Sequence, residues 1–284
     1  MARRPPRTEP AVQTIETARS VHTIRSEGSS DVGLKRAVNE DTFYAGAPVF
    51  VVADGMGGHE RGDVASRELA AAVQRGIPIG NPTTTEAVVT TIVAANSVIR
   101  DIPTAGGVIG TTVAGLALVT LSPQTDSHWM VFNVGDSRVY TWTDAELRRV
   151  TVDHSAVQEL VDAGRITEAE AAVHPDRNIV TKAIGVDVGI DPDVWLMPAV
   201  GHQTFLLCSD GLTGELPDAR IAEILGGGLV GAADRLVREA VAAGGRDNVT
   251  ALLVDARSSS TEEAGPGYVD GDHLGYLEET MPRT

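Results

Sequence analysis

Apolar runs that stop abruptly divide this chain into strand-like and helix-like segments. Pro48 to Ala53 is a continuous apolar run of buried-strand type, ended by Asp54-Gly55. Thr112 to Thr120, Thr204 to Cys208 and Val249 to Val254 share that β-rich character. Trp129 to Val134 and Arg138 to Trp142 flank Gly135-Asp136-Ser137 and predict a hairpin. Elsewhere the period lengthens. From Gly62 to Ile77, Ala65, Leu69, Ala72 and Val73 share one helical face. From Glu86 to Ile99, Val88, Ile92, Ala95 and Ile99 recur at steps of four, three and four. Ser155 to Gln158 and Thr167 to Glu170 have capping-box form and mark two helix starts. Arg220 to Leu225 and Ala232 to Ala243 also read as helical.

These elements do not alternate as regular βαβ units, so an α+β layered domain is expected rather than a doubly wound one. Residues 1–14 are rich in Arg and Pro and read as a flexible lead-in. Residues 15–256 contain no linker-like break and read as one domain. Residues 257–284 carry Ser, Gly and acids with little apolar periodicity, the pattern of a disordered acidic tail.

Composition narrows the class. At 42% hydrophobic residues the chain can bury a sizeable core, yet no run nears the ~18 apolar residues of a membrane span. Arg3, Arg4 and Arg7 are not followed by the apolar stretch of a secretory leader. The lone cysteine, Cys208, allows no intramolecular disulfide, which fits a cytoplasmic protein. A net charge of −16 argues against a nucleic-acid partner, since the phosphate backbone rewards basic surfaces. Bound cations could balance some of those acids, because Lys35 and Lys182 are the only lysines.

Three apolar strand runs end in an aspartate beside glycine or asparagine: at Asp54-Gly55, at Asp210-Gly211, and, running the other way, at Asp247-Asn248 before Val249. Asp136 sits at the Gly135-Asp136-Ser137 turn. One Asp-Gly pair alone is a common turn, and Asp270-Gly271 in the tail is that case. Four such carboxylates converging in a cleft would repel one another unless cations neutralised them. All-oxygen donors favour hard ions such as Mg2+ or Mn2+.

Eight segments carry a more specific likeness. They are GLKRAVNEDTF (33–43), VVADGMGGHERGDVAS (51–66), GTT (110–112), NVGDSRVY (133–140), VTVDHS (150–155), HPDRNIVTKAIG (174–185), LLCSDGL (206–212) and GGRDNVTALL (244–253). In this order they resemble the PPM family, the 2C type of metal-dependent protein serine/threonine phosphatase, in its bacterial branch. That resemblance implies two packed antiparallel sheets flanked by helices, a four-layer αββα sandwich. It implies two core Mn2+ or Mg2+ ions, with Asp54 bridging them, the Gly55 carbonyl on one, and Asp210 and Asp247 as further ligands. Asp136 with Asp210 matches a third, weaker metal site, and Glu40 and Asp41 match acids that hold metal-bound waters. Arg36 matches the arginine that grips the substrate phosphate, so Arg36, Asp54, Asp210 and Asp247 form the catalytic set the resemblance implies. Residues from about 164 to 185 match the family's variable flap, which tunes substrate choice. Met56 stands where eukaryotic members carry a histidine proposed as leaving-group acid; a metal-bound water is then the candidate proton source.

The implied function is hydrolysis of phosphoserine and phosphothreonine on proteins by a metal-activated water, opposing bacterial serine/threonine kinases. The expected partners are phosphorylated proteins, including such a kinase or its substrates, and the chain is expected to be a monomer without a membrane partner. Arg138 is expected to hold the Asp136 turn, with Asp153 and His154 serving capping and packing. Two alternatives stay open: an inactive scaffold that binds phosphoproteins, and a PPM phosphatase acting on an anti-anti-sigma-type regulator. Cysteine-dependent phosphatase chemistry is excluded because Gly214 stands six residues after Cys208, where an arginine is needed. Neither lysine lies in a phosphate-binding glycine loop, and His59-Glu60 is followed by Asp63 where a zinc protease needs histidine.

Overall fold

The computed structural model describes residues 11–57, 61–104, 107–122 and 126–260. His59, the first ten residues of the lead-in and the tail from 261 onward lie outside the described residues.

The chain opens with strands β1 (Ala11–Glu16), β2 (Ser20–Asp31), β3 (Asp41–Gly46) and β4 (Val49–Met56). Helices α1 (Gly62–Gly76) and α2 (Thr85–Arg100) follow. Next come β5 (Gly110–Thr111), β6 (Val113–Thr120), β7 (Ser127–Val134), β8 (Arg138–Thr143) and β9 (Glu146–Arg149). The short helices α3 (Ala156–Asp162) and α4 (Glu168–Ala171) precede β10 (Asp193–Pro198) and β11 (His202–Cys208). Helices α5 (Asp210–Thr213), α6 (Asp218–Gly226) and α7 (Ala232–Ala243) lead to β12 (Val249–Ser260).

The strands form two antiparallel sheets, ordered β1-β2-β12-β11-β8-β9 and β10-β7-β6-β4-β3, with β5 paired to β4. Their facing sides share one core containing Phe50, Leu116, Trp129, Val131, Phe205, Leu252 and Val254. The Trp129 and Phe205 rings meet there at 5.5 Å. On the outer face of the second sheet, Leu69 and Val73 of α1 and Ile92 and Ile99 of α2 pack with Val51, Ala117 and Phe132. On the outer face of the first, Leu212, Ile221, Leu236 and Val237 pack with Leu206, Cys208 and Leu253. Both faces of each sheet are therefore covered, the four-layer αββα arrangement expected. That explains why the central strands read as unbroken apolar runs rather than alternating ones. Burying each large aliphatic or aromatic side chain contributes roughly 1.5–3 kcal/mol.

Three sequence expectations need correction. The predicted hairpin across residues 129–142 does not form: β7 pairs with β6 and β10 in one sheet, while β8 pairs with β11 and β9 in the other. Two apolar runs around a tight turn look alike whether they pair or change sheets. The domain boundaries also move outward, since β1 begins at Ala11 inside the expected lead-in and β12 runs to Ser260. Finally, Ser155 caps α3 by accepting from the Gln158 N–H, but Gln158 turns its amide to Asp162, so only Thr167 and Glu170 complete a capping box.

The sequence pattern also left β2 undetected. On its inward face His22, Ser26 and Ser30 are buried beside Ile24, and Ser29 is buried on the opposite face, so the strand reads as polar on both sides. His22 is fully buried, with its ring nitrogens 2.7 Å from the hydroxyls of Ser20 and Ser258, which joins the ends of β2 and β12. Burial holds its pKa below the ordinary histidine range. The unfolded chain then binds more protons below about pH 6.5, so this group's contribution is present above that value and is lost as the pH falls. Replacing His22 by Ala should cost about 2–3 kcal/mol of unfolding free energy above about pH 6.5 and less below it, measured against the parent by denaturant titration.

Candidate metal centre

The four strand-end aspartates meet at one end of the sandwich. Asp54, near the end of β4, is the register partner of Asp41 at the start of β3. Asp210 opens α5 just after β11, and Asp247 precedes β12, whose Ala251 pairs with Cys208. Asp136 occupies the connection between β7 and β8, where the chain changes sheets. Asp54, Asp136, Asp210 and Asp247 line a single cleft of about 240 Å3 together with Arg36, Glu40 and Gly55. Asp41 lies buried behind that lining, its Oδ2 accepting from Ser209 Oγ at 2.7 Å. Asn178 and Val180, within the segment read as the flap, complete one wall.

Backbone geometry explains the glycine after Asp54. A Cβ on Gly55 would stand 2.2 Å from the Gly62 carbonyl oxygen and 2.7 Å from that of Glu40, so no side chain fits. The Gly55 N–H donates to that Glu40 carbonyl, and Glu40 Oε1 accepts from the Gly62 N–H at the start of α1.

Neutral groups hold the acidic segments in place, and these were missed as functional residues. Asn248 Oδ1 accepts from the Glu40 N–H at 2.8 Å, while its Nδ2 donates to the carbonyls of Val32 and Val38 at 3.0 Å. One amide thus ties the loop carrying Arg36 to the loop carrying Asp247. Thr112 Oγ1 accepts from the Asp54 N–H at 3.0 Å and lies 2.7 Å from Ser137 Oγ, linking the Asp54 and Asp136 segments. Glu215, just beyond α5, accepts from the backbone N–H and the guanidinium of Arg246, beside Asp247. Asn248 and Thr112 fall inside the motif segments, but a motif does not say which atoms an amide or hydroxyl will meet.

The electrostatics are those of crowded buried acids. Burial raises the pKa of Asp54 well above the ordinary range, and Asp41, Asp210 and Asp136 raise it further. Asp136 is likewise held well above that range by burial and by Asp210. Asp210 is raised by burial and by Asp247, and it shares a hydrogen bond with Asp54. Asp41 is pushed up to about 7, chiefly by burial. Of the described side chains lining the cleft, Arg36 alone is basic; its Nη2 donates to Asp247 Oδ2 at 2.7 Å.

The donors suit a hard divalent cation. Asp41 Oδ1 and Asp210 Oδ1 are buried acceptors with no hydrogen-bond partner among the described residues, and the lining carboxylates and Gly55 carbonyl offer only oxygen. Among the described residues, as the side chains stand here, no group of three or more Asp, Glu, His or Cys is gathered closely enough to hold a metal ion. The centre is a cleft lined by donors.

Comparison with known proteins agrees. A family profile described as protein phosphatase 2C matches residues 35–253. The serine/threonine protein phosphatase PstP of Mycobacterium tuberculosis is 36% identical over 275 residues, covering 90% of this chain and 50% of that protein. The chain thus spans about half the length of that relative. The serine/threonine phosphatase Stp of Listeria monocytogenes is 36% identical over 252 residues, covering 82% of this chain and 96% of that protein. A crystal structure of the PstP catalytic domain with two manganese ions matches with a TM-score of 0.71 at 35% identity, over 83% of this chain and 99% of that one.

Raised carboxyl pKa values mean that the folded chain holds more protons than the unfolded one, so stability should fall as pH rises through them. In chelator, the parent should therefore lose unfolding free energy as the pH rises from about 4 to about 7, the window between the ordinary aspartate value and that of Asp41. Asp210→Asn, which removes one repelling charge, should raise the melting temperature of the chelated protein by roughly 2–4 °C, measured by calorimetry.

Proposed function

The chain belongs to the protein phosphatase 2C family, and from that premise we propose that it is a divalent-metal-dependent phosphatase acting on phosphoserine and phosphothreonine in proteins. The observation that carries this proposal is the convergence of Asp54, Asp136, Asp210 and Asp247 on one cleft with Arg36 at its edge.

Asp54, the Gly55 carbonyl, Asp210 and Asp247 would hold two core Mn2+ or Mg2+ ions. Asp136 with Asp210 would hold a third and weaker one. Glu40 would fix waters at the edge of that set, and Asp41 would do so from behind the lining, beside its register partner Asp54. When bound, such ions lower the pKa of a coordinated water towards neutrality and offset charge building on the phosphoryl oxygens.

The chain's own groups bind and orient the phosphate. The half-exposed Arg36 uses one N–H on Asp247, and its planar fork leaves donors for two oxygens of a phosphate monoester. Asn248 holds the loop beneath that arginine, so the guanidinium is supported from the same strand end as Asp247. Met56 lines the cleft and has no proton to give, so the acid for the departing alkoxide would have to be another group, for which a coordinated water is the candidate. The Asn178 amide on the flap wall supplies a further donor and acceptor for the phosphorylated segment.

Proteins phosphorylated by serine/threonine kinases, in the cytoplasm, are the substrates this proposal entails. Among the described residues no helix is long and apolar enough to cross a membrane. A non-catalytic phosphoprotein scaffold has less in its favour, because binding alone does not call for four mutually repelling carboxylates.

Phosphate release from a phosphothreonine peptide with Mn2+ tests the proposal. Chelator should abolish it, and Asp210→Asn should lower kcat by about 100-fold or more. Arg36→Lys should raise KM by about tenfold with a smaller change in kcat, since lysine cannot make the paired contact. Turnover that survives chelation would overturn the assignment.

A further inference from the structure

The Asp136 turn has an unusual mechanical problem. It joins β7 to β8, and these strands lie in different sheets, so no ladder pairing across the turn fixes its shape. Gly135 takes φ +104°, a conformation that side chains disfavour. Something else must hold the turn in the shape that brings Asp136 to the cleft.

His154 supplies that hold. The Gly135 N–H donates to His154 Nδ1 at 3.0 Å, and the His154 N–H donates back to the Gly135 carbonyl at 2.9 Å. Asn133 Nδ2 donates to the same carbonyl at 3.0 Å. Because Nδ1 accepts, the ring is neutral there and carries its proton on Nε2. That nitrogen stands 3.4 Å from Asp193 Oδ1 on β10, the oxygen that also accepts from Lys182 Nζ at 3.3 Å. The His154 carbonyl accepts from the Thr181 N–H at 2.9 Å. Lys182 and Thr181 belong to the flap segment that contributes Asn178 and Val180 to the cleft wall. One residue therefore grips the Asp136 turn by ring and backbone, and the flap base by its carbonyl and by Asp193. Helix capping, the role expected from sequence, falls to Ser155 instead.

We infer that His154 is a positioning residue, which fixes the Gly135–Asp136 turn through Nδ1 and couples it to the flap through Nε2 and Asp193. The inference rests on the phosphatase proposal for its consequence in turnover, but the hold on the turn is measurable without it. A partner that orients a metal-binding carboxylate typically carries about 10–100-fold in affinity or activity.

Three full-chain variants separate the two nitrogens. In His154→Asn the amide oxygen falls near the place of Nδ1 and can still accept from Gly135. In His154→Gln the amide reaches towards Asp193 but leaves the Gly135 N–H without its acceptor. His154→Ala removes both. Amide hydrogen exchange at Gly135 should quicken by about tenfold or more in the Ala and Gln variants and stay near the parent rate in the Asn variant. Calorimetric titration with Mn2+ should show the weakest site about tenfold weaker in Ala and Gln, with the Asn variant restored. On a phosphothreonine peptide the Ala and Gln variants should lose kcat with little change in KM.

Equal losses in the Asn and Ala variants, or an unchanged Gly135 exchange rate in the Ala variant, would assign the ring to packing and overturn the inference. A parent protein that releases no phosphate with Mn2+ would sink the phosphatase proposal instead, with Gly135 exchange still deciding the part played by His154.

Discussion

Like charges held a few ångströms apart away from bulk water repel strongly, by about 4 kcal/mol at 4 Å for an effective dielectric of 20. Asp54, Asp136 and Asp210 face such repulsion together, and it adds to burial in pushing the pKa of each upward. The rest of the molecule is organised around keeping those groups in one cleft. Two sheets share a core between them and are covered by helices outside, so strand ends carrying the acids cannot splay apart without opening a close-packed interior.

The immediate support for the acids is mostly neutral. A basic shell would balance their charge and leave little for a cation to do. Asn248, Thr112 and Ser209 instead hold backbone and carboxylate atoms by hydrogen bonds that add no net charge. Where an ion pair is used, as between Glu215 and Arg246, it is turned away from the cleft lining and fastens the loop from behind. Arg138 follows the same rule. Its guanidinium meets both oxygens of Asp153 and so braces the strand after the Asp136 turn, rather than holding the turn itself as the sequence suggested. Arg36 is the exception, a half-exposed cation within the cleft itself, paired with Asp247.

Much of this was legible along the chain because strongly buried strands announce themselves. β4, β6, β11 and β12 have apolar runs on both faces, and α1, α2 and α7 have clean helical periods. The strand β2 was not legible, since buried serines and His22 make its core face look like surface. The hairpin expected around Gly135 was wrong for a related reason. Local pattern reports that two segments are extended and that a turn separates them, but says nothing about which sheet each will join.

Composition, periodicity and motif order by themselves determined the layered α+β class, the core-forming strands, and a set of strand-end carboxylates whose oxygen chemistry suits hard cations. These are properties of single segments, set by side-chain burial and oxygen chemistry, and so they survive in a linear reading. Only the tertiary structure decided that β7 and β8 part company, that Asp41 stands behind the cleft rather than in it, and that Asn248 and His154 hold the acidic loops. Those facts depend on hydrogen bonds between residues far apart in the chain. Their partners exist only once the sheets have packed.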